Sequence, residues 1–338
     1  MSSVPTQKQL ATIAGVSQST VSLALAGSPE VSTSQRALIR KLAARMRYRP
    51  SVDAQRLAAR KTGVKNKGAV LAWINLETTA DFWQSHPISR AYWSGAQSQA
   101  TRLGYKLDAF WLHDPGMTQT RLASILQNRG IEGILFPHYA DSGVKINWSV
   151  WRKFAVVSLN HPFSPAMTDH VCADFHHNTD LCMAQLLKTN PRRIGLVLKD
   201  VFNAETSATC LARFLFQTSR LPHQFQIPPL IIPDVLSEKS AYLTPWLKRW
   251  KPDILLTRDY EMQQVLTTCR KILPVSPRLI QLQLNELTPY IAGIDEKNAE
   301  IGIAAVELLG GKLHQGKIGF SDSPRTLLIK GQWRPKTC

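Results

Sequence analysis

Ser17, Gln18, Ser19 and Thr20 stand side by side in the stretch AGVSQSTVSLALAG, residues 14–27, and Ser22 follows them. Their hydroxyl and amide groups both donate and accept hydrogen bonds and carry no charge. That chemistry recognises the polar edges of another molecule. No base is clustered with them to activate a hydroxyl as a nucleophile. The chain also has no GxGxxG, P-loop, GxSxG or HExxH pattern, so no enzyme is expected.

The elements that hold these residues can be read from their neighbours. Thr6 can cap a first helix, with Gln9 in the capping-box position. Leu10, Ala11, Ile13 and Ala14 then follow at helical spacing, and Gly15 can take the positive φ that ends the helix. Ser17 can cap a second helix, in which Val21, Ala24 and Leu25 repeat at i, i+3 and i+4. Gly27-Ser28-Pro29 breaks the chain, and Ser32 or Thr33 caps a third helix with Ala37, Leu38, Leu42 and Met46 as its expected core. Two short helices meeting at a turn of small residues form a helix-turn-helix, followed by a packing helix.

Charge points to the partner. Residues 1–67 hold 12 Lys and Arg against two acids, Glu30 and Asp53, while the remaining 271 residues supply only +7 of the total of +17. A basic segment of that size suits a polyanion, because each neutralised phosphate releases counterions. A helix-turn-helix lays the start of its second helix in the DNA major groove, where each base pair shows its own donor and acceptor pattern.

The segment from Thr6 to Gly63 resembles the LacI/GalR family of bacterial transcriptional regulators. The matching residues are Ala11, Ala14-Gly15-Val16-Ser17, Thr20-Val21-Ser22, Val31-Ser32, Arg36, Tyr48, Pro50, Ala54, Leu57 and Ala58. The resemblance implies that Gln18, Ser19 and Leu23 read bases, while Ser17, Thr20 and Ser22 cap the helix or touch phosphates. Ser32, Tyr48 and Ala54 are expected on the same DNA-binding surface. It also implies that Ser51 to Arg60 is a hinge helix, whose Leu57 wedges into the minor groove and kinks the duplex. Leu23 departs from the pattern, since relatives place a guanine-reading Arg there.

From Gly68 onward, apolar runs at 69–74, 105–112, 133–137, 155–160, 193–198 and 253–258 alternate with helical patterns. Such alternation implies parallel sheets covered by helices, here two doubly wound α/β lobes. This part resembles the family's periplasmic-binding-protein-like core. The match rests on Tyr92–Gly95, Gly104-Tyr105, Gly133-Ile134, Arg192–Gly195, Pro252-Asp253 and the stretch 293–313. The expected fold is thus α/β, with a small all-α domain in front. The expected division is 1–49 for the helix-turn-helix, 50–67 for hinge and linker, and 68–338 for the core. Within the core, one lobe is expected at about 68–162 and 292–318, the other at about 163–291 and 319–338.

The implied function is a repressor, active as a homodimer on a pseudo-palindromic operator and modulated by a small molecule, such as a sugar, in the cleft between lobes. Asn160, Arg258, Asp259 and Asp295 fall at cleft positions of the family. Phe82, Trp83 and Trp111 can stack on a sugar face or fill a core. The alternatives are a solute-binding protein of the same core fold and a regulator controlled by a protein partner. No run of about 18 apolar residues suggests a membrane span, and the start MSSVPTQKQL lacks a signal-peptide pattern, so the cytoplasm is expected. The five cysteines form no CxxC. Adjacent His176 and His177 diverge on any regular element, so neither a metal nor another cofactor is expected.

Overall fold

The computed structural model describes residues 6–25, 30–46, 48, 69–138, 144–160, 163, 168–191, 193–199, 204–233, 235–270 and 276–336. They divide into two compact units, residues 1–67 and 68–338.

The described part of the first unit holds three helices, α1 (Gln7–Ala14), α2 (Gln18–Leu25) and α3 (Thr33–Arg45). Each helix starts where its cap predicts. The Gln9 amide donates to the Thr6 hydroxyl at 3.3 Å, and the Thr6 amide donates to the Gln9 side chain at 2.8 Å, closing the capping box. Gly15 ends α1 in the left-handed region at φ 64°. Leu10, Ala11, Val21, Ala24, Val31, Ile39 and Ala43 form the core. Two expectations change here. Ile13 is exposed, and on α3 the buried residues are Ile39 and Ala43, while Ala37 and Leu38 face outward. The apolar residues of α3 cover more than one face, and only the phase holding Ile39, Leu42, Ala43 and Met46 meets α1 and α2.

The second unit contains two six-stranded sheets. The first has the order β11-β5-β4-β3-β1-β2, with β1 (Ala69–Asn75), β2 (Tyr105–Trp111), β3 (Gly133–His138), β4 (Ala155–Asn160), β5 (Asp169–Ala173) and β11 (Thr326–Ile329). The second has the order β12-β10-β9-β8-β6-β7, with β6 (Ile194–Lys199), β7 (Leu230–Ile232), β8 (Ile254–Thr257), β9 (Arg278–Gln281), β10 (Ala292–Asp295) and β12 (Gln332–Arg334). All pairings are parallel except β10 with β12. The connecting helices are α4 (Phe82–Ser85), α5 (Pro87–Arg102), α6 (Gln119–Asn128), α7 (Trp148–Trp151), α8 (Phe175–Leu187), α9 (Ala204–Thr218), α10 (Leu236–Trp250), α11 (Met262–Arg270) and α12 (Asn298–His314).

The lobe limits differ from the expected ones. β5 and β11 belong to the first sheet, and β10 belongs to the second. The chain therefore crosses between lobes near 174, 296–297 and 330–331. A buried carboxylate explains the first shift. Asp169, at the start of β5, accepts from Lys312 of α12 at 2.8 Å and from the Arg325 amide, just before β11, at 3.0 Å. Burial alone would raise the Asp169 carboxyl, but these donors hold it below its usual range. This one residue ties β5, β11 and α12 into the same lobe.

Helices α5 and α12 approach so closely that side chains do not fit between them. A Cβ on Gly95 would lie 1.9 Å from the Ala299 carbonyl oxygen, and one on Gly302 would lie 2.0 Å from the Tyr92 carbonyl oxygen. Gly311, later in α12, meets nothing within 4 Å. Gly302→Ala should therefore destabilise the protein by about 1–3 kcal/mol through overpacking. Gly311→Ala should stabilise it by about 0.5–1 kcal/mol through helix propensity. Chemical denaturation of the two variants checks the opposite signs.

Candidate nucleic-acid interface and inter-lobe cleft

In the three-helix domain, the start of α2 is a cluster of exposed hydroxyls. Ser17 Oγ accepts from the Thr20 amide at 3.1 Å and lies 2.7 Å from Ser19 Oγ and 2.8 Å from Thr20 Oγ1. Ser17, Gln18 and Ser19 are exposed, while Thr20 and Ser22 are half-buried. None of the three helices has an acid in its first turn, so the positive ends of their dipoles are not neutralised from within. Lys8, Arg40, Lys41 and Arg45 are exposed on the same domain. An uncharged donor–acceptor cluster in a positive field is the surface that fits a polyanion with readable polar edges.

Ser32 is exposed and caps α3 by accepting from the Gln35 amide at 3.3 Å. Tyr48 is half-buried against the core and hydrogen-bonds Gln7; burial dominates and raises its phenol. Leu23 is half-buried and packs against the core, so its apolar side chain serves the fold as well as the surface. Ala54 and Leu57 lie outside the described residues.

In the second unit, the three crossings between lobes meet. The Asp174 amide donates to the Ile329 carbonyl at 2.9 Å, and the Gly331 amide donates to Asn178 Oδ1 at 2.8 Å. A Cβ on Gly331 would lie 2.7 Å from both Asn178 Oδ1 and the Asp295 carbonyl oxygen. Asp295 accepts from Arg334 at 2.5 Å and from the Lys297 amide at 2.9 Å. Burial would raise its carboxyl, but these donors hold it below the usual range.

Among the residues expected in the cleft, Asn160 and Arg258 both neighbour Tyr92. Asn160 ends β4 at φ 72° and accepts from the Tyr92 hydroxyl at 3.2 Å. Phe82 stacks on His86, with ring centroids 4.8 Å apart. Trp83 packs on Trp93, which lies edge-on to buried Trp73. Trp111 is half-buried and donates to the Glu77 carbonyl at 2.9 Å. Asp295 serves the crossings.

Arg258 and Asp259 are engaged within the second lobe. Arg258 forms a two-toothed pair with Glu296 and lies over the Phe175 ring, 4.8 Å from its centroid. Gln283 donates to the other face of the pair, reaching Glu296 at 2.6 Å. Burial would lower the Arg258 pKa, but Glu296 outweighs it and raises it. Asp259 accepts from fully buried Lys239 at 2.7 Å, and Lys239 also donates to Glu261 at 2.6 Å. Burial opposes the Lys239 charge, yet the two carboxylates raise its pKa. Both residues carry these ion pairs in addition to their expected place at the cleft. Their carboxylate and ammonium partners are distant in sequence, so spacing carried no sign of them.

The lobes also touch directly. The His86 ring lies edge-on to Tyr260 of the second lobe, with centroids 6.2 Å apart, and Arg90 pairs with Glu286. Among the described residues no group of three His, Cys, Asp or Glu could hold a metal, and no helix is long and apolar enough to cross a membrane.

These contacts give Arg258 a distinct signature. Arg258→Ala should destabilise the protein by about 3–5 kcal/mol, because it strands the fully buried Glu296 carboxylate. Arg258→Lys should recover only part of this, since an ammonium lacks the planar fork. Thermal melts without any ligand measure both; an Arg that served only a ligand would leave them unchanged.

The model of bacterial regulatory proteins, lacI family, matches residues 6–51. No curated protein sequence matches the chain. Among solved structures, the chain is similar to a complex of the transcriptional regulator CelR with cellobiose, with a TM-score of 0.61 at 15% identity over 98% of this chain and 99% of that one. It is similar to a lac repressor dimer bound to operator and the anti-inducer ONPF, with a TM-score of 0.58 at 16% identity over 99% of this chain and 98% of that one. It is also similar to the transcription regulator CcpA of Lactococcus lactis, with a TM-score of 0.57 at 12% identity over 80% of this chain and 98% of that one. Residues 6–51 thus match the lacI-family model, and the rest of the chain has the two-lobed fold of these solved structures.

Proposed function

We propose that the protein is a sequence-specific DNA-binding transcriptional regulator that acts in the cytoplasm as a repressor. The carrying observation is the capped start of α2, with Gln18 and Ser19 exposed in a segment rich in Lys and Arg. Gln18 is the side chain suited to adenine, and Ser19 pairs with either purine or pyrimidine edges. Ser17, Thr20 and Ser22 hold the helix end and touch phosphate. Leu23 offers apolar contact to a thymine methyl. Ser32 and Tyr48 position the surface, while Ala54 and Leu57 belong to the hinge segment. Two copies read the two halves of a pseudo-palindrome.

The inter-lobe cleft takes a small molecule, and its affinity for two lobe arrangements differs. The sugar reading is supported by the CelR structure, which holds cellobiose. We assign Phe82 and Asn160 as first-lobe contacts. Trp83, Trp111, Arg258, Asp259 and Asp295 shape the cleft through the internal contacts already described.

Purified protein should select a pseudo-palindromic site from a random duplex library; a flat selection overturns the reading. Gln18→Ala should weaken the selected site by about 1–3 kcal/mol, roughly 5- to 150-fold, in a titration at fixed salt. Leu57→Ala should weaken the selected site more than random DNA.

A further inference from the structure

Phe82, His86 and Arg90 are spaced four residues apart where α4 runs into α5, and all three concern the face that meets the second lobe. His86 is the centre of this row. Its Nδ1 accepts from the Ser89 amide at 3.4 Å and so caps α5, a role that only an unprotonated ring nitrogen can fill. One ring face stacks on Phe82, and the edge meets Tyr260. Lys199, at the end of β6, stands over the same Tyr260 ring at 5.7 Å and 3.7 Å from Asp259. Charged and titratable groups beside His86 include Tyr260 and Lys199 from the second lobe, with Asp259 next to Lys199, and Arg90 one turn along on its own. Arg90 is matched by Glu286.

We propose that His86 is a proton-sensitive latch between the lobes: neutral, it holds the cleft closed against Tyr260, and protonated, it releases it. Four features disfavour the imidazolium in the closed arrangement. It would lose the cap acceptor, place a charge at the positive end of α5, leave water for an aromatic stack, and face Lys199. Burial first and Lys199 second lower the His86 pKa to about 4. When the lobes part, Tyr260 and Lys199 leave and the ring regains water, so its pKa rises, while the Ser89 cap and the Phe82 stack stay with the first lobe. A group whose pKa is lower in the closed state binds protons to the open state. Closure is thus fully favoured above pH 6.5 and weakens as pH falls from there toward 4. Between pH 7.5 and 5.5 the closed-to-open ratio should fall by up to about tenfold, the limit for an open-state ring at its ordinary pKa. This deepens the regulatory reading of the cleft and rests on it for its consequence at DNA, but not for the latch itself.

The test uses the full chain with Cys338→Ser and a donor–acceptor dye pair on Gln127→Cys of the first lobe and Arg220→Cys of the second, both exposed positions. Cys172, Cys182, Cys210 and Cys269 are buried. Energy transfer is followed from pH 7.5 to 5.5 without ligand. The expected result is a shift toward separated lobes that His86→Asn removes, because Asn keeps a cap acceptor and does not titrate. His86→Gln serves as a second non-titrating variant. A wild-type profile that is flat, or one shared by both variants, overturns the latch. Affinity for the selected duplex is measured on the same samples. A transfer change without a change in duplex affinity upholds the latch and removes its link to DNA.

Discussion

Three passages of backbone between the lobes are forced through one place, and Gly331 marks how tight it is. Its amide is committed to Asn178, and there is no room for a side chain beside the Asp295 carbonyl. Lobes joined at a single point can rotate about it but cannot slide apart, which is the geometry of a hinge. Asp295 keeps this point polar and satisfied through Arg334 and Lys297. Every motion that changes the cleft must pass through these few residues.

Buried charge does the complementary work of fixing each lobe. Lys312 with Asp169, Lys239 with Asp259 and Glu261, and Arg258 with Glu296 each place a cation among carboxylates away from water. Such groups cost a great deal when alone, so each pair permits only arrangements in which the partner is present. The result is selectivity among packings rather than added stability. Each lobe thereby holds its own set of paired charges on its side of the crossings.

The helical domain was legible because its signals are local. Thr6, Gly15, Ser17 and Ser32 announce their helix ends through backbone chemistry that acts within four residues. The six apolar runs of the core gave β1, β2, β3, β4, β6 and β8 for the same reason. What escaped depends on distant partners. β5 opens with Asp169 and His170, which read as surface residues until Lys312 and Ser158 cover them. β11 carries exposed Leu327 and Leu328 at a sheet edge, without the alternation of a buried strand. The contiguous apolar residues of α3 allowed two phases, and packing against α1 and α2 chose the one with Ile39.

Leu23 sits half in the core of a domain whose core, among the described residues, has seven buried apolar side chains. A side chain that both completes so small a core and reaches the recognition surface cannot vary freely on either account. A long charged residue at this position could keep its head in solvent while its stem lay along the domain. A leucine has no such division, so its contribution to binding is tied to its contribution to folding. Drift in DNA preference at this position is thereby coupled to the abundance of folded protein. On the proposed reading, DNA preference changes more freely through Gln18 and Ser19, whose side chains are exposed.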